Sequence, residues 1–557
     1  MSLNIHNVSF GYPAGEPLFE NVSIAIADGG KTSLIGDNGT GKSTLLKIIT
    51  GELQPLSGEV SHTEGLWFVP QHFGQYDKLT VAGALGIEAK LRALETILVG
   101  SFAEEDFAAL ADDWDIAQRA ESALREWGLD DFGPGRPFSS LSGGGRNADG
   151  GLLSTLDRPF NTLSGGEKTR VFLAGIALHS PALVVMDEPT NHLDAEARRK
   201  LYAMIGKSRA AMLIVSHDRT LLDLMDTTWE LTSRGAEKFG GNYTHYREVR
   251  DARLAAMAQQ IAEKEKALRT ARQTARETLE RQQRSESRGG RKAAGEGIPR
   301  IMLKTLKDSA AATTSRLRGA HSEKVGAAEE CLREKRAGMP REAAIRIKLS
   351  DSALHTGKTL VEGQGVNFSY GGGKNLWDEP FDFRVESGER IVVRGGNGSG
   401  KTTLARLILG ELQPTEGEIT RADARILYMD QQYSLVDGTL TVAQQAAVFN
   451  TRNLPAHIVK TELHRFLFPA GTWDKPCGHL SGGEKMKLVF CSLLIGDSAP
   501  DAFILDEPTN NLDIRSLELI TAALKDYGGT VVVISHDARF LEEIGVTREI
   551  VPGRKVL

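Results

Sequence analysis

Two octapeptides in this chain have the composition of a phosphate cradle. Residues 36–43 read GDNGTGKS and residues 395–402 read GGNGSGKT. Gly36, Gly39 and Gly41, and likewise Gly395, Gly398 and Gly400, let successive backbone N–H groups turn toward phosphate oxygens, with Asn38 and Asn397 inside the turns. Lys42 and Lys401 would reach the β- and γ-phosphates. Ser43 and Thr402 would ligate Mg²⁺, and Thr44 and Thr403 open a helix whose positive end faces the anion. Each octapeptide follows a strand-like run (TSLI, RIVV) and precedes an apolar helical pattern.

Further carboxylates and an imidazole occur in the same order in both halves. LVVMDE ends in Asp187 and Glu188, and AFILDE ends in Asp506 and Glu507. A lone Asp-Glu at a strand end is ordinarily a solvated pair. Beside a phosphate cradle, Asp187 and Asp506 suit Mg²⁺ organisation, and Glu188 and Glu507 suit activation of an attacking water. His217 and His536, in VSHD and ISHD, fit a γ-phosphate contact, the alternative being a packed core histidine. Gln71 and Gln431 follow the strands LWFV and ILYM, where an amide can reach Mg²⁺ or the water. Tyr12 and Tyr370 lie 30 and 31 residues before the lysines, where an aromatic could stack on a base or simply fill the core.

The elements that must hold these groups repeat as well. LSGGEKTR at 163–170 matches LSGGEKMK at 480–487, and MDEPTNHLD matches LDEPTNNLD. Short β-branched runs alternate with helical patterns in each half, which predicts a mainly parallel α/β sheet. The expected organisation is a first nucleotide-binding domain at 1–246, a helical segment at 247–350 and a second such domain at 351–557. The first half carries an additional LSGG: RPFSSLSGGG at 136–145 precedes RPFNTLSGGE at 158–167. Only the second copy leads into an amphipathic helix and the Asp-Glu strand. Residues 139–161 therefore read as an inserted, duplicated loop, and a longer helical stretch near 103–127 accounts for the remaining extra length.

Composition narrows the class. The chain has 557 residues, 40% hydrophobic and 25% charged, with three widely spaced cysteines. That is ordinary for a multidomain globular protein and fits neither a disulfide framework nor a cysteine metal site. MSLNIHNVSFGY lacks the pattern of a secretion signal, and no apolar run approaches the roughly 20 residues of a membrane helix. A reducing, cytoplasmic setting without membrane insertion is the expectation.

The middle segment differs from the rest. Residues 247–350 hold 25 Lys and Arg against 14 Asp and Glu and contain no Phe, Trp or Tyr; the remainder of the chain is net acidic. Residues 247–284 are rich in Ala, Arg, Glu, Gln and Leu, which favours helix. SESRGGRKAAGEGIPR, with four glycines and Pro299, then predicts a break at about 285–300, and a second helical run ends before Pro340. The expected shape is an antiparallel helical hairpin with a basic tip, in which Arg284, Arg288, Arg291 and Lys292 are the candidate RNA-phosphate contacts. The alternative is a solvated charged linker. The missing aromatics argue against base stacking.

P-loop, Gln, LSGGE, Asp-Glu and His in this order resemble the ATP-binding cassette ATPases. The fused cassettes, the helical linker, EPTNHLD and EPTNNLD with Asn191 and Asn510, and GGNYTHY at 240–246 resemble the ABC-F family in particular. That resemblance implies a fold of two α/β P-loop ATP-binding cassette domains joined by a long α-helical hairpin linker. It implies Mg²⁺-ATP as cofactor and head-to-tail cassette pairing within one chain, hence a monomer. Ser481, Gly482, Gly483 and Glu484 would cap the nucleotide at Lys42; Ser164, Gly165, Gly166 and Glu167 would cap that at Lys401. It further implies ATP hydrolysis coupled to binding the ribosome near the exit tRNA site, with the linker contacting rRNA and tRNA, in a translation or ribosome-protection role. A DNA-associated ATPase would use the same basic arm. An ATPase working with a separate membrane protein leaves the arm without a purpose.

Overall fold

In a computed structural model of the chain, the described residues are 2–13, 17–100, 103–129, 155–295, 300–338, 354–396, 398–431, 433–496, 500–510 and 512–553. Asn397 and residues 139–154 of the duplicated loop lie outside them. The chain divides into two compact units: Met1–Tyr246 together with Arg346–Leu557, and Arg247–Ile345.

In the first unit each cassette has a mainly parallel sheet that ends in the candidate site. The strands of the first run in the order Leu66–Val69, Leu183–Asp187, Ala211–Val215, Lys31–Ile35, Thr227–Thr232 and Gly235–Gly240; the last pair is antiparallel and the others are parallel. In the second, Ile426–Met429, Ala502–Asp506, Thr530–Ile534, Arg390–Val393 and Arg548–Ile550 are all parallel. LVVMD, AMLIV, AFILD and TVVVI are buried at every position. Such continuous apolar runs suit strands covered on both faces. A three-stranded antiparallel sheet lies beside each: Leu3–Gly11 at the centre in the first cassette and Thr359–Asn367 in the second.

The P-loop helices are Lys42–Ile49 and Lys401–Leu409, entered through Gly41 (φ 93°) and Gly400 (φ 87°). A side chain at either glycine would be strained by that left-handed backbone. It would also run into Leu18 and Phe19 at Gly41, and into Leu376 and Trp377 at Gly400. The helices after the two Ser-Gly-Gly turns are Gly165–His179 and Gly482–Ile495. The longer first half is explained partly by two short helices, Glu104–Leu110 and Ile116–Glu126, rather than one continuous stretch. Ala111 and Asp112, with φ of 49° and 57°, break the path between them.

The second unit is built from two helices, Tyr243–Gly295, which starts in the first unit, and Arg300–Ala337. Arg336 pairs with Glu265 at 2.5 Å and Arg272 with Glu329 at 2.6 Å. These pairs step seven residues in opposite directions, so the helices run antiparallel in a heptad register, with Leu268 and Leu332 buried between. The break expected at about 285–300 does not begin at Ser285; residues 296–299, between the two helices, lie outside the described residues. The first helix continues through Gly289 and Gly290 to Gly295 and, at about 1.5 Å per residue, reaches about 80 Å. Two glycines cost about 1 kcal/mol each against alanine, and the surrounding Arg, Lys, Ala and Gln offset this. Arg284, Arg288, Arg291 and Lys292 thus stand on a helix, with Arg284 and Arg288 exposed, and not in an irregular tip.

Candidate functional site

Two cavities carry the sequence-predicted groups. The first, about 390 Å³, is lined by Tyr12, Asn38, Gly39, Gly41, Lys42, Ser43, Thr44, Gln71, Asp187, Glu188 and His217, and by residues of the second cassette, among them Thr509, Asn510 and Leu517. The second, about 510 Å³, is lined by Tyr370, Gly398, Gly400, Lys401, Thr402, Thr403, Gln431, Asp506, Glu507 and His536, and by Ser164, Gly165 and Gly166 of the first cassette. Gly36 and Gly395 sit at the strand ends, and their carbonyls accept from the lysines. Lys42 Nζ donates to Gly36 O at 2.7 Å and Asp37 O at 3.0 Å; Lys401 Nζ donates to Gly395 O at 2.9 Å and Gly396 O at 3.0 Å.

The hydroxyl after each lysine meets the carboxylate that ends the neighbouring strand. Thr402 Oγ1 donates to Asp506 Oδ2 at 2.8 Å, and Ser43 lies beside Asp187 and opposes the rise of its pKa. Burial raises both carboxylate pKa values, opposed by these hydroxyls and by the P-loop lysines. Asp187 Oδ1 is buried without a hydrogen-bond partner among the described residues. An unmatched buried carboxylate oxygen beside a hydroxyl and an amide is an oxygen donor set that fits Mg²⁺. Ser43, Gln71 and Asp187, and Thr402, Gln431 and Asp506, are the residues that would hold it.

Glu188 and Glu507 take φ of 49° and 48°, a region that non-glycine residues seldom occupy. Glu188 N–H donates to Val215 O, and Glu507 N–H to Ile534 O, each at 2.8 Å, so the ladder holds the turn in place. His217 N–H donates to Glu188 Oε2 at 3.2 Å, and the imidazole Nε2 lies 3.4 Å from Oε1. His536 Nε2 lies 3.5 Å from Glu507 Oε1. Burial pushes Glu188 up to about 8 and Glu507 up to about 7, and pushes His217 down to about 3 and His536 down to about 4. Each pair is therefore arranged as a carboxyl close to its neutral form beside a neutral imidazole.

Tyr12 and Tyr370 are more than half exposed, and each packs edge-on against a phenylalanine, Phe10 or Phe368. Tyr370 OH lies 2.9 Å from Thr403 Oγ1 and Tyr12 OH 3.4 Å from Thr44 Oγ1. An open aromatic face fixed over the start of the P-loop helix suits a stacked base better than a core position.

The two Ser-Gly-Gly turns are built alike but placed differently. Ser164 and Ser481 cap their helices through capping boxes: Glu167 Oε2 accepts from Ser164 N at 2.7 Å and Glu484 Oε2 from Ser481 N at 2.8 Å. Glu167 and Glu484 thus hold the turn, and the backbone that faces outward is that of the glycines. Ser164, Gly165 and Gly166 line the Lys401 cavity, whereas Ser481, Gly482, Gly483 and Glu484 are absent from the described lining of the Lys42 cavity. Gly483 packs instead against Ser516 and Asp513.

Asp513 and Asp194 were not singled out in the sequence, although both EPTN segments end in them. Each caps the helix that follows it. Asp513 also favours the charged forms of Lys42 and His217, and Asp194 those of Lys401 and His536, so a carboxylate of each cassette acts electrostatically on the other's site. Further pairs join the cassettes: Arg219 with Glu543 at 2.6 Å, Arg539 with Asp223 at 2.8 Å and Arg515 with Asp37 at 2.8 Å.

Comparison with known proteins agrees with this arrangement. The chain matches the ABC transporter family over residues 19–191 and 379–510. It is 30% identical over 563 residues to ABC transporter F family member 2 of Arabidopsis thaliana, covering 97% of this chain and 75% of that protein. The chain belongs to the ABC-F family. Other relatives include the tylosin resistance ATP-binding protein TlrC of Streptomyces fradiae, 30% identical over 96% of this chain and 95% of that one. The ribosome protection protein VmlR of Bacillus subtilis is 27% identical over 97% and 85%. Among solved structures, the archaeal ribosome recycling factor aABCE1, in its complex with ribosomal stalk protein aP1, matches with a TM-score of 0.56 at 20% identity, covering 99% of this chain and 88% of that one. That likeness is one of fold. No helix among the described residues of this ABC-F protein is long and apolar enough to cross a membrane.

Proposed function

We propose that this ABC-F protein is a cytoplasmic ATPase that binds the ribosome near the exit tRNA site and there regulates translation or protects the ribosome. The observation that carries the ATPase reading is that each cavity is lined by both cassettes, by Thr509 and Asn510 at the Lys42 cavity and by Ser164–Gly166 at the Lys401 cavity. Each nucleotide site then needs both cassettes, so ATP binding stabilises the closed pair and hydrolysis releases it.

In this reading Lys42 and Lys401, with the P-loop amides, hold the phosphates, and Tyr12 and Tyr370 stack on adenine. Mg²⁺ held by Ser43, Gln71 and Asp187, or by Thr402, Gln431 and Asp506, would supply charge neutralisation at the phosphates. Glu188 and Glu507, in their ionised form, orient and deprotonate the water, and neutral His217 and His536 donate toward the γ-phosphate. Hydrolysis times a conformational cycle and modifies no second substrate.

The ribosome reading rests on the long basic hairpin without aromatic residues, which suits phosphate contact, and on relatives named for ribosome protection and tylosin resistance. Crosslinking the hydrolysis-blocked chain (Glu188→Gln, Glu507→Gln) to ribosomes tests the placement. Crosslinks from the hairpin to tRNA and to rRNA beside the exit site are expected; crosslinks confined to the mRNA entry side would overturn it. The protective role is separated from regulation by expressing the chain in a sensitive host and measuring macrolide tolerance.

A further inference from the structure

The Lys42 P-loop contains a carboxylate, and the second cassette meets it with an arginine. Arg515 stands in the first turn of the helix Ile514–Asp526, and its Nη1 donates to Asp37 Oδ2 at 2.8 Å. Its Nη2 donates to Glu230 Oε1 at 3.2 Å. Glu230 is in register with Ile35, the residue that leads into Gly36, so the guanidinium bridges the P-loop and the strand beside it. Asp37 also takes part in the loop through its backbone. Its carbonyl accepts at 3.0 Å from Lys42 Nζ, the cation that would reach the β- and γ-phosphates.

A carboxylate in a phosphate cradle repels the anion that the cradle is built to hold. A clamp between the cassettes would be the plain structural account of the pair. The Arg515 and Asp37 side chains are 23% and 41% exposed, however, and pairs as open as this contribute little to stability. Aligning GDNGTGKS with GGNGSGKT puts Gly396 opposite Asp37, and aligning EPTNHLDAE with EPTNNLDIR puts Glu196 opposite Arg515. Glu196 pairs within its own helix, with Lys200 at 3.0 Å. The Lys42 P-loop thus has both the carboxylate and the arginine, and the corresponding positions at the Lys401 P-loop have neither.

We propose that Arg515 is a counter-ion supplied in trans: it neutralises Asp37 so that the Lys42 P-loop accepts a triphosphate, whereas the Lys401 P-loop, with Gly396, needs no such partner. Neither Arg515 nor Asp37 is in the described lining of the Lys42 cavity, so the arginine acts through the loop and not by touching the phosphates. ATP affinity at the Lys42 site then depends on the second cassette being seated against that loop. The proposal rests on the ATP-binding part of the reading above and deepens it by naming what one site takes from the opposite cassette.

Binding of labelled Mg²⁺-ATP is measured on the full hydrolysis-blocked chain (Glu188→Gln, Glu507→Gln), with Lys401→Ala to leave the Lys42 site or Lys42→Ala to leave the Lys401 site. Arg515→Gln should raise Kd about 10-fold at the Lys42 site and leave the Lys401 site within about 2-fold. Adding Asp37→Asn should bring the Lys42 site back to within about 2-fold of the parent, a repair that a merely structural role for Arg515 would not show. The deficit should also shrink as salt is raised. Gly396→Asp covers the case in which the arginine variant fails to fold, since a side chain at Gly396 meets open space. That variant places an unneutralised carboxylate in the other P-loop and should raise Kd at the Lys401 site about 10-fold, with Gly396→Asn close to the parent. Equal losses at both sites, a loss that Asp37→Asn does not repair, or unchanged binding in Gly396→Asp would overturn the proposal and leave the ATPase reading intact. A hydrolysis-blocked chain that binds no ATP at either site would overturn both.

Discussion

His217 Nε2 lies 3.4 Å from Glu188 Oε1, the carboxylate buried and the imidazole largely so. The pair is held with a carboxyl pKa near 8 and an imidazole pKa near 3, and Glu507 with His536 repeats it near 7 and 4. A carboxyl whose folded pKa is raised binds its proton more tightly in the folded state than in the unfolded one. Its charge therefore costs folding stability as pH rises above about 4.5, and the cost grows until the folded pKa is reached. Glutamine mimics the neutral form and carries no such cost. The double variant Glu188→Gln, Glu507→Gln should melt at the same temperature as the parent near pH 4.5 and progressively higher than it up to pH 8. The gap corresponds to roughly 3 kcal/mol at Glu507 and more than that at Glu188, whose pKa is raised further. Melting curves across that range in the absence of nucleotide check it, and a gap that shrinks with pH would contradict it.

The same double variant should bind ATP with near-parental affinity and turn it over at least about 100-fold more slowly, because the lost groups act on the water and not on the phosphates. Filter binding of labelled ATP together with phosphate release measures both quantities. Normal turnover would remove Glu188 and Glu507 from the mechanism.

Arg219 is 1% exposed, and its Nη1 donates to Glu543 of the other cassette at 2.6 Å. Breaking a buried pair from one side leaves an uncompensated charge. Glu543→Gln should destabilise the closed cassette pair by about 3 kcal/mol, and Arg219→Met added to it should recover part of the loss. Denaturant melts of the two single variants and the double variant give the coupling; strict additivity would show that the pair does not join the cassettes.

Replacing Arg284, Arg288, Arg291 and Lys292 with glutamate should weaken RNA association at all sequences and reduce the slope of its salt dependence. A flat slope change in a binding titration against ionic strength would exclude phosphate contact by this stretch of helix.

Much of this was legible in the sequence because it is local. The P-loops, the Asp-Glu strand ends and the Ser-Gly-Gly helix starts depend on neighbours within a few residues, and the internal repeat states each of them twice. The contacts that escaped are those between residues hundreds apart. Arg219 and Glu543, or Arg515 and Asp37, have no mutual signal in one chain. Glu167 and Glu484 were expected to face nucleotide, and they turn back to cap Ser164 and Ser481, since the same acid that suits a helix dipole also completes a capping box. The break expected at Ser285 was drawn from glycine content, and helix-forming neighbours outweighed it.

The most direct test of the central claim is sedimentation of the Glu188→Gln, Glu507→Gln chain with purified ribosomes, with and without ATP. The account predicts that the protein pellets with ribosomes when ATP is present and stays in the supernatant when it is absent. Failure to pellet, with ATP binding shown to be intact, would contradict it.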